Sequence, residues 1–132
     1  MLLVKFDDSF RLGIKEIDDQ HEYWINLTND IYDKLLNKNY PNPLDLVDRL
    51  FEYSKAHFVL EEEFFKNYGD ISLQINDHKK FVEDVKKMKE LYRTNNPDYA
   101  LDILSFMGHW IVNHIKTSDM KFKDLITSQN KE

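Results

Sequence analysis

Four of the five histidines in this chain fall on the apolar faces of four separate helical stretches, and two of them have a carboxylate shortly after. They are His21, His57 with Glu61 four residues on, His78, and His114 with Asp119 five residues on. Faces that repeat every three or four residues and point inward normally carry Leu, Ile and Phe. Imidazoles and carboxylates are donors for borderline metals such as iron, zinc and copper. A histidine on each of four such faces, with two carboxylates added, predicts a metal site in the middle of a helical bundle.

The elements that must position these groups follow from composition and periodicity. A chain of 132 residues suits one domain, here residues 1–132. Only three Gly and three Pro suit helices with short loops and argue against a sheet-rich fold. Residues 1–13 read as an extended N-terminal arm ending at Gly13. The first helix runs from Lys15 to Asn37, with the stripe Ile17, His21, Trp24, Ile25, Thr28, Ile31, Tyr32 and Leu35. Asn42 as cap and Pro43 as first helical residue open the second, which runs to Tyr68 and stops at Gly69. The third spans Ser72 to Arg93. Asn96 and Pro97 open the fourth, which reaches Ile126, and the polar tail 127–132 frays. The expected fold is all-α: an antiparallel up-down-up-down four-helix bundle with an N-terminal arm.

The net charge of −6, with no basic run, argues against nucleic acid and anionic membranes as partners. There is no Cys, so any metal must be held by nitrogen and oxygen. The opening MLLVKFDDSF is too short and too soon charged for a signal peptide, and no apolar run approaches a membrane span. A soluble cytoplasmic protein is expected.

Residues four apart lie one above the other on a helix, so His57 and Glu61 point the same way, as do Gln74 and His78. The five-residue step from His114 to Asp119 fits poorly unless the helix bends or loosens at Thr117-Ser118-Asp119. A single histidine on an apolar face is ordinarily a satisfied core residue. Four of them are different, because burying Glu61 and Asp119 without a compensating cation is costly. The set exceeds what one tetrahedral zinc needs and suits two metals sharing Glu61 and Asp119 as bridges. A ferritin-like oxidase is disfavoured, since none of the four histidines follows a Glu by three. His109 lies about 140° round its helix from His114 and reads as a surface or interhelix residue. The run Glu61-Glu62-Glu63 reads as a solvated face apart from Glu61.

Four segments, in order, resemble the motifs of the hemerythrin family in its bacterial single-domain form. They are GIKEIDDQHEYWINL (13–27), HFVLEEEFF (57–65), HKKF (78–81) and HWIVNHIKTSD (109–119). The resemblance implies a non-haem di-iron centre, with two iron ions, a bridging oxo or hydroxo group, and O2 as a reversible ligand. Carried over, His21 and His57 would hold one iron, and His78 and His114 the other together with the residue at 74. Glu61 and Asp119 would bridge. Trp24, Phe58, Trp110, Ile111 and Ile115 would wall the pocket. Oxygen storage, delivery or sensing is implied, with a protein partner if the protein is a sensor.

The chain departs from that pattern at Gln74, where the family has His. The adjacent loop FFKNYGD looks about two residues short, Gly69 stands for a customary Pro, and Phe65 stands where Met is common. Three outcomes are open at Gln74. Its amide oxygen ligates weakly, or it hydrogen-bonds a water in the vacant place, or Asn76, Asp77 or a shifted Glu62 moves in. A more open site would favour peroxide, O2 or NO reactivity, at a di-iron or mononuclear centre. A structural zinc is a further alternative.

Overall fold

Four apolar stripes that each need covering give four helices. These are α1 (Lys15–Leu36), α2 (Pro43–Phe65), α3 (Ser72–Asn95) and α4 (Tyr99–His114). A π-helical turn, Ile115–Asp119, continues α4 into a last helical stretch at residues 120–124. The computed structural model describes residues 3–37, 43–95 and 99–124; the expected caps Asn42 and Asn96, the expected first helical residue Pro97, the expected helix end at Ile126 and the tail 127–132 lie outside these. Among the described residues there is no strand. No described helix is long and apolar enough to cross a membrane.

α1 lies against α2 and α4, and α3 against α4 and α2. The helices run antiparallel, because one end gathers the start of α1 (Ile17), the end of α2 (Phe65), the lead into α3 (Ile71) and the chain after α4 (Phe122). The larger apolar cluster fills the rest, with Trp24, Ile25, Leu50, Phe58, Phe81, Val85, Ile103, Leu104, Met107, Ile111 and Ile115. Burial of these faces is what stabilises the helices, at roughly 25 cal/mol per Å² of apolar surface removed from water.

Three helix ends and the arm differ from expectation: α1 ends at Leu36, with Asn37 as its cap. α2 ends at Phe65, short of Tyr68 and Gly69. The backbone tightens there: Asn67 and Tyr68 donate to Phe64 O and Phe65 O, three residues back, and the Asn67 amide covers the Glu63 and Phe64 carbonyls. α3 runs on to Asn95, two residues past Arg93. The arm is not simply extended. Asp7 accepts from Ser9 N–H and caps a 3-10 turn, Asp8–Phe10, which lets Phe10 turn inward and bury.

The arm is also anchored. Asn29 on α1 accepts from Leu3 and Val4 N–H and donates to Val4 O. Asp18, one turn before His21, accepts from Leu12 N–H at 2.7 Å and Gly13 N–H at 3.1 Å. Gly13 has φ 90°, a left-handed backbone that suits glycine, and it swings the arm onto α1.

Candidate metal centre

A layer of polar groups crosses the bundle between the two apolar clusters. α1 contributes His21, α2 contributes His57 and Glu61, and α3 contributes Gln74 and His78. His114 closes α4, and Asp119 closes the π-helical turn. All seven are buried, and Glu61 and Asp119 have no exposed surface.

The π-helical turn explains the five-residue step. Met120 N–H donates to Ile115 O, five residues back, so one extra residue is accommodated in the turn. The Thr117 hydroxyl donates to Asn113 O at 2.8 Å, a side-chain bond of the kind that bends helices. The wider turn carries Asp119 under His114, with Oδ1 3.3 Å from His114 Nε2. The expected loosening is therefore found, and it begins at Ile115, two residues before Thr117.

Glu61 sits at the centre of the layer, touched by one histidine from each helix. Its Oε2 faces His57 Nε2 at 2.8 Å and His21 Nε2 at 3.0 Å. Its Oε1 faces His78 Nε2 at 3.1 Å and His114 Nε2 at 3.3 Å. Asp119 divides in the same way, with Oδ2 3.3 Å from His21 Nε2 and Oδ1 near His114. Two triads result, His21–His57–Glu61 and Glu61–His78–His114, each with ligand atoms within 4.8 Å of one another.

These donors suit cations. His57 Nδ1–H donates to Gln20 Oε1 at 2.6 Å, and His78 Nδ1–H donates to Glu62 Oε2 at 2.7 Å. His114 Nδ1 lies 3.8 Å from Asp77 Oδ2. Since the outer partners of His57 and His78 are acceptors, Nδ1 donates outward and Nε2 is the nitrogen left to face the centre of the layer, where a metal would take it. His78 Nε2 and His114 Nε2 face each other at 3.2 Å, a pair that wants a shared proton or a cation. Asp119 Oδ2 is buried without a hydrogen bond, with His21 Nε2 3.3 Å away, and a buried carboxylate oxygen is costly unless something positive meets it.

Charge shapes the layer further. Burial pulls the His21 imidazole down, but Asp119 and Glu61 outweigh it and raise His21 to about 9. The same opposition raises His114 to about 10. Burial pushes the Glu61 carboxyl up, yet His57 and the other imidazoles hold it well below the usual carboxylate range.

Aromatic rings seal one side. Phe58 stacks on His78 at 4.0 Å between centroids, and Trp110 stacks on His114 at 4.4 Å. Trp24 stands edge-on to His57 at 6.0 Å. Ile111 and Ile115 are fully buried in the same apolar cluster.

Of the donors considered at Gln74, none moves into the layer's centre. Asn76 is exposed, and Asp77 and Glu62 stand outside, toward His114 and His78. Gln74 itself donates from Nε2 to Asp119 Oδ1 at 2.8 Å. His109 is exposed and bonds Ser105 O within its own helix. Glu62 corrects the reading of Glu61-Glu62-Glu63 as a solvated face: its partly buried carboxylate orients His78. Gln20 was visible only as part of a motif. Phe81, 4.5 Å from Trp110 and 5.7 Å from Trp24, reads in the sequence as an apolar stripe residue and as the last residue of the HKKF motif.

Comparison with known proteins supplies independent findings. Residues 12–126 match the family model described as the hemerythrin HHE cation binding domain. The chain is 30% identical over 125 residues to a bacteriohemerythrin of Clostridium acetobutylicum, covering 89% of this chain and 96% of that protein. It is 31% identical over 123 residues to a hemerythrin-like protein of Naegleria gruberi, covering 92% of each. A bacteriohemerythrin of Pseudomonas aeruginosa is 22% identical over 128 residues, covering 96% of this chain and 83% of that one.

Proposed function

This chain belongs to the hemerythrin family, and on that premise we propose that its buried polar layer holds two non-haem iron ions and binds O2 reversibly. The observation that carries the reading is the division of Glu61. One oxygen faces the histidines of α1 and α2, the other those of α3 and α4. His21 and His57 would hold one ion, His78 and His114 the other, with Glu61 and Asp119 shared. Bound there, iron would supply the electron exchange with O2 that no amino-acid side chain provides.

The chain's own part is orientation and exclusion. Gln20 and Glu62 fix two imidazoles from outside, so the donors need little rearrangement. Phe58, Trp110 and Trp24 lie against the histidine rings and keep water off the inner faces. Ile111 and Ile115 extend that apolar wall. A dry wall favours entry of an uncharged diatomic molecule and disfavours escape of a charged product. Storage, delivery and sensing share this chemistry. Gln74 favours a second reading, in which the same layer turns over peroxide or NO, because an amide stands where the family has an imidazole.

Elemental analysis, with optical spectra in air, after argon and with azide, tests the proposal. Two irons per chain and a visible absorption that appears in air and reverses under argon are expected. One metal per chain would overturn the di-iron reading. Two irons oxidised by air without reversal would favour the peroxide or NO reading.

A further inference from the structure

Gln74 is only 2% exposed, and its Nε2 amide donates to Asp119 Oδ1 at 2.8 Å. Turning the amide over would set its carbonyl oxygen against a carboxylate oxygen at that distance, two acceptors with no proton between them. The group facing Asp119 is thus the nitrogen, whose lone pair is delocalised into the amide and is no metal donor, while the amide oxygen, buried without a hydrogen bond, is turned away from the carboxylate that the two cations would share. The same bond fixes how the Asp119 carboxylate is turned, with one oxygen toward His114 and the other toward His21.

The remaining donors then fall into two equal groups. His21 and His57 accompany Glu61 Oε2 and Asp119 Oδ2. His78 and His114 accompany Glu61 Oε1 and Asp119 Oδ1. We infer that Gln74 is a positioning residue for Asp119 and not a metal ligand, so that the two cation positions have matching donor sets, two imidazoles and one oxygen from each shared carboxylate. A third imidazole at residue 74 would make the sets unequal. An incoming small anion such as azide meets two alike positions. This inference rests on the di-iron reading above.

Anaerobic loading with isotopically enriched iron(II), followed by Mössbauer spectroscopy, tests it. Fewer than two irons per chain would fail the di-iron reading itself. With two irons bound, one quadrupole doublet carrying all the iron is expected in the unaltered protein. Gln74→His should split it into two of equal area. Gln74→Leu should keep one doublet while weakening iron retention against a chelator by about tenfold or more, since Asp119 loses its orienting bond. Two doublets in the unaltered protein would overturn the matched sets, and their collapse into one in Gln74→Leu would show that Gln74 ligates. A single doublet persisting in Gln74→His would put residue 74 out of reach of the metals and overturn its role. Thermal melts of the metal-free variants separate these outcomes from misfolding.

Discussion

At pH 7.5, metal uptake should release about two protons per chain. In the metal-free layer, His21 is raised to about 9 and His114 to about 10, burial being outweighed by Asp119 and Glu61. Both rings are therefore protonated at that pH, and each must lose its inner proton before its lone pair can meet a cation. His21 belongs to one triad and His114 to the other, so each cation displaces about one proton. Each binding constant then rises about tenfold per pH unit, and the overall two-metal constant about a hundredfold between pH 7 and 8. The rise slackens above about 9 and ends above about 10. Stability of the metal-free protein takes the opposite sign. Both folded values lie above the ordinary 6.5, so the stabilisation is complete below pH 6.5 and is lost as pH climbs through about 9 and 10. Glu61 lies well below 4.5, so its contribution is present above that value and fades as pH falls through the lowered one. The assay is zinc titration in weakly buffered solution with a pH indicator, paired with chelator competition from pH 7 to 9. Uptake without proton release at pH 7.5, or an overall constant that changes less than tenfold between pH 7 and 8, would refute the reasoning.

Three substitutions test the supports. Glu62→Ala should weaken metal binding by about ten- to a hundredfold in chelator competition, because His78 loses the partner of its outer nitrogen. Glu62→Gln, whose carbonyl oxygen still accepts, should recover most of that, and equal losses in both would show that charge and not orientation matters. Asp18→Ala strands the Leu12 and Gly13 N–H groups and should cost about 2–4 kcal/mol in a denaturant melt. A loss under about 1 kcal/mol would mean that water replaces the carboxylate. Gly108→Ala sets a methyl 2.9 Å from Thr28 Cγ2 and 3.3 Å from Val4 Cγ1. Overpacking there should destabilise by about 1–3 kcal/mol, and an unchanged melting temperature would show that the Thr28 side chain and the arm both give way at no cost.

The bundle was legible because each helix carries an apolar stripe of helical period, and the central donors because they interrupt those stripes with polar groups. His57 and Glu61 follow from the i, i+4 geometry of a regular helix. Asp119 did not, and the mismatch of its five-residue step was itself the signal for the π-helical turn. What surrounds the donors was harder to read. Glu62 belongs to an acidic run, and the packing of α2 against α3 brings it to His78. Asp18 is visible in the sequence only as part of the first motif, and Asn29 looks like an ordinary surface polar residue. Their roles come from where the arm lies, which the sequence leaves open after the left-handed turn at Gly13. The orientation of Gln74 depends on a residue 45 positions away.

The polar layer has a consequence for how the molecule comes apart. It divides the apolar interior unequally, leaving a small cluster of Leu12, Ile17, Phe65 and Phe122 at one end. Phe65 and Phe122 stack there at 4.3 Å, and the buried histidines and carboxylates lie between this cluster and the larger one. In the metal-free chain these ends should act as separate cooperative units, with the small one opening first. Its backbone amides should therefore exchange with deuterated solvent well ahead of those near Leu50 and Leu104. A cation pair drawing donors from all four helices would join the two units, so that amide protection at the small end becomes a gauge of occupancy in the middle of the molecule.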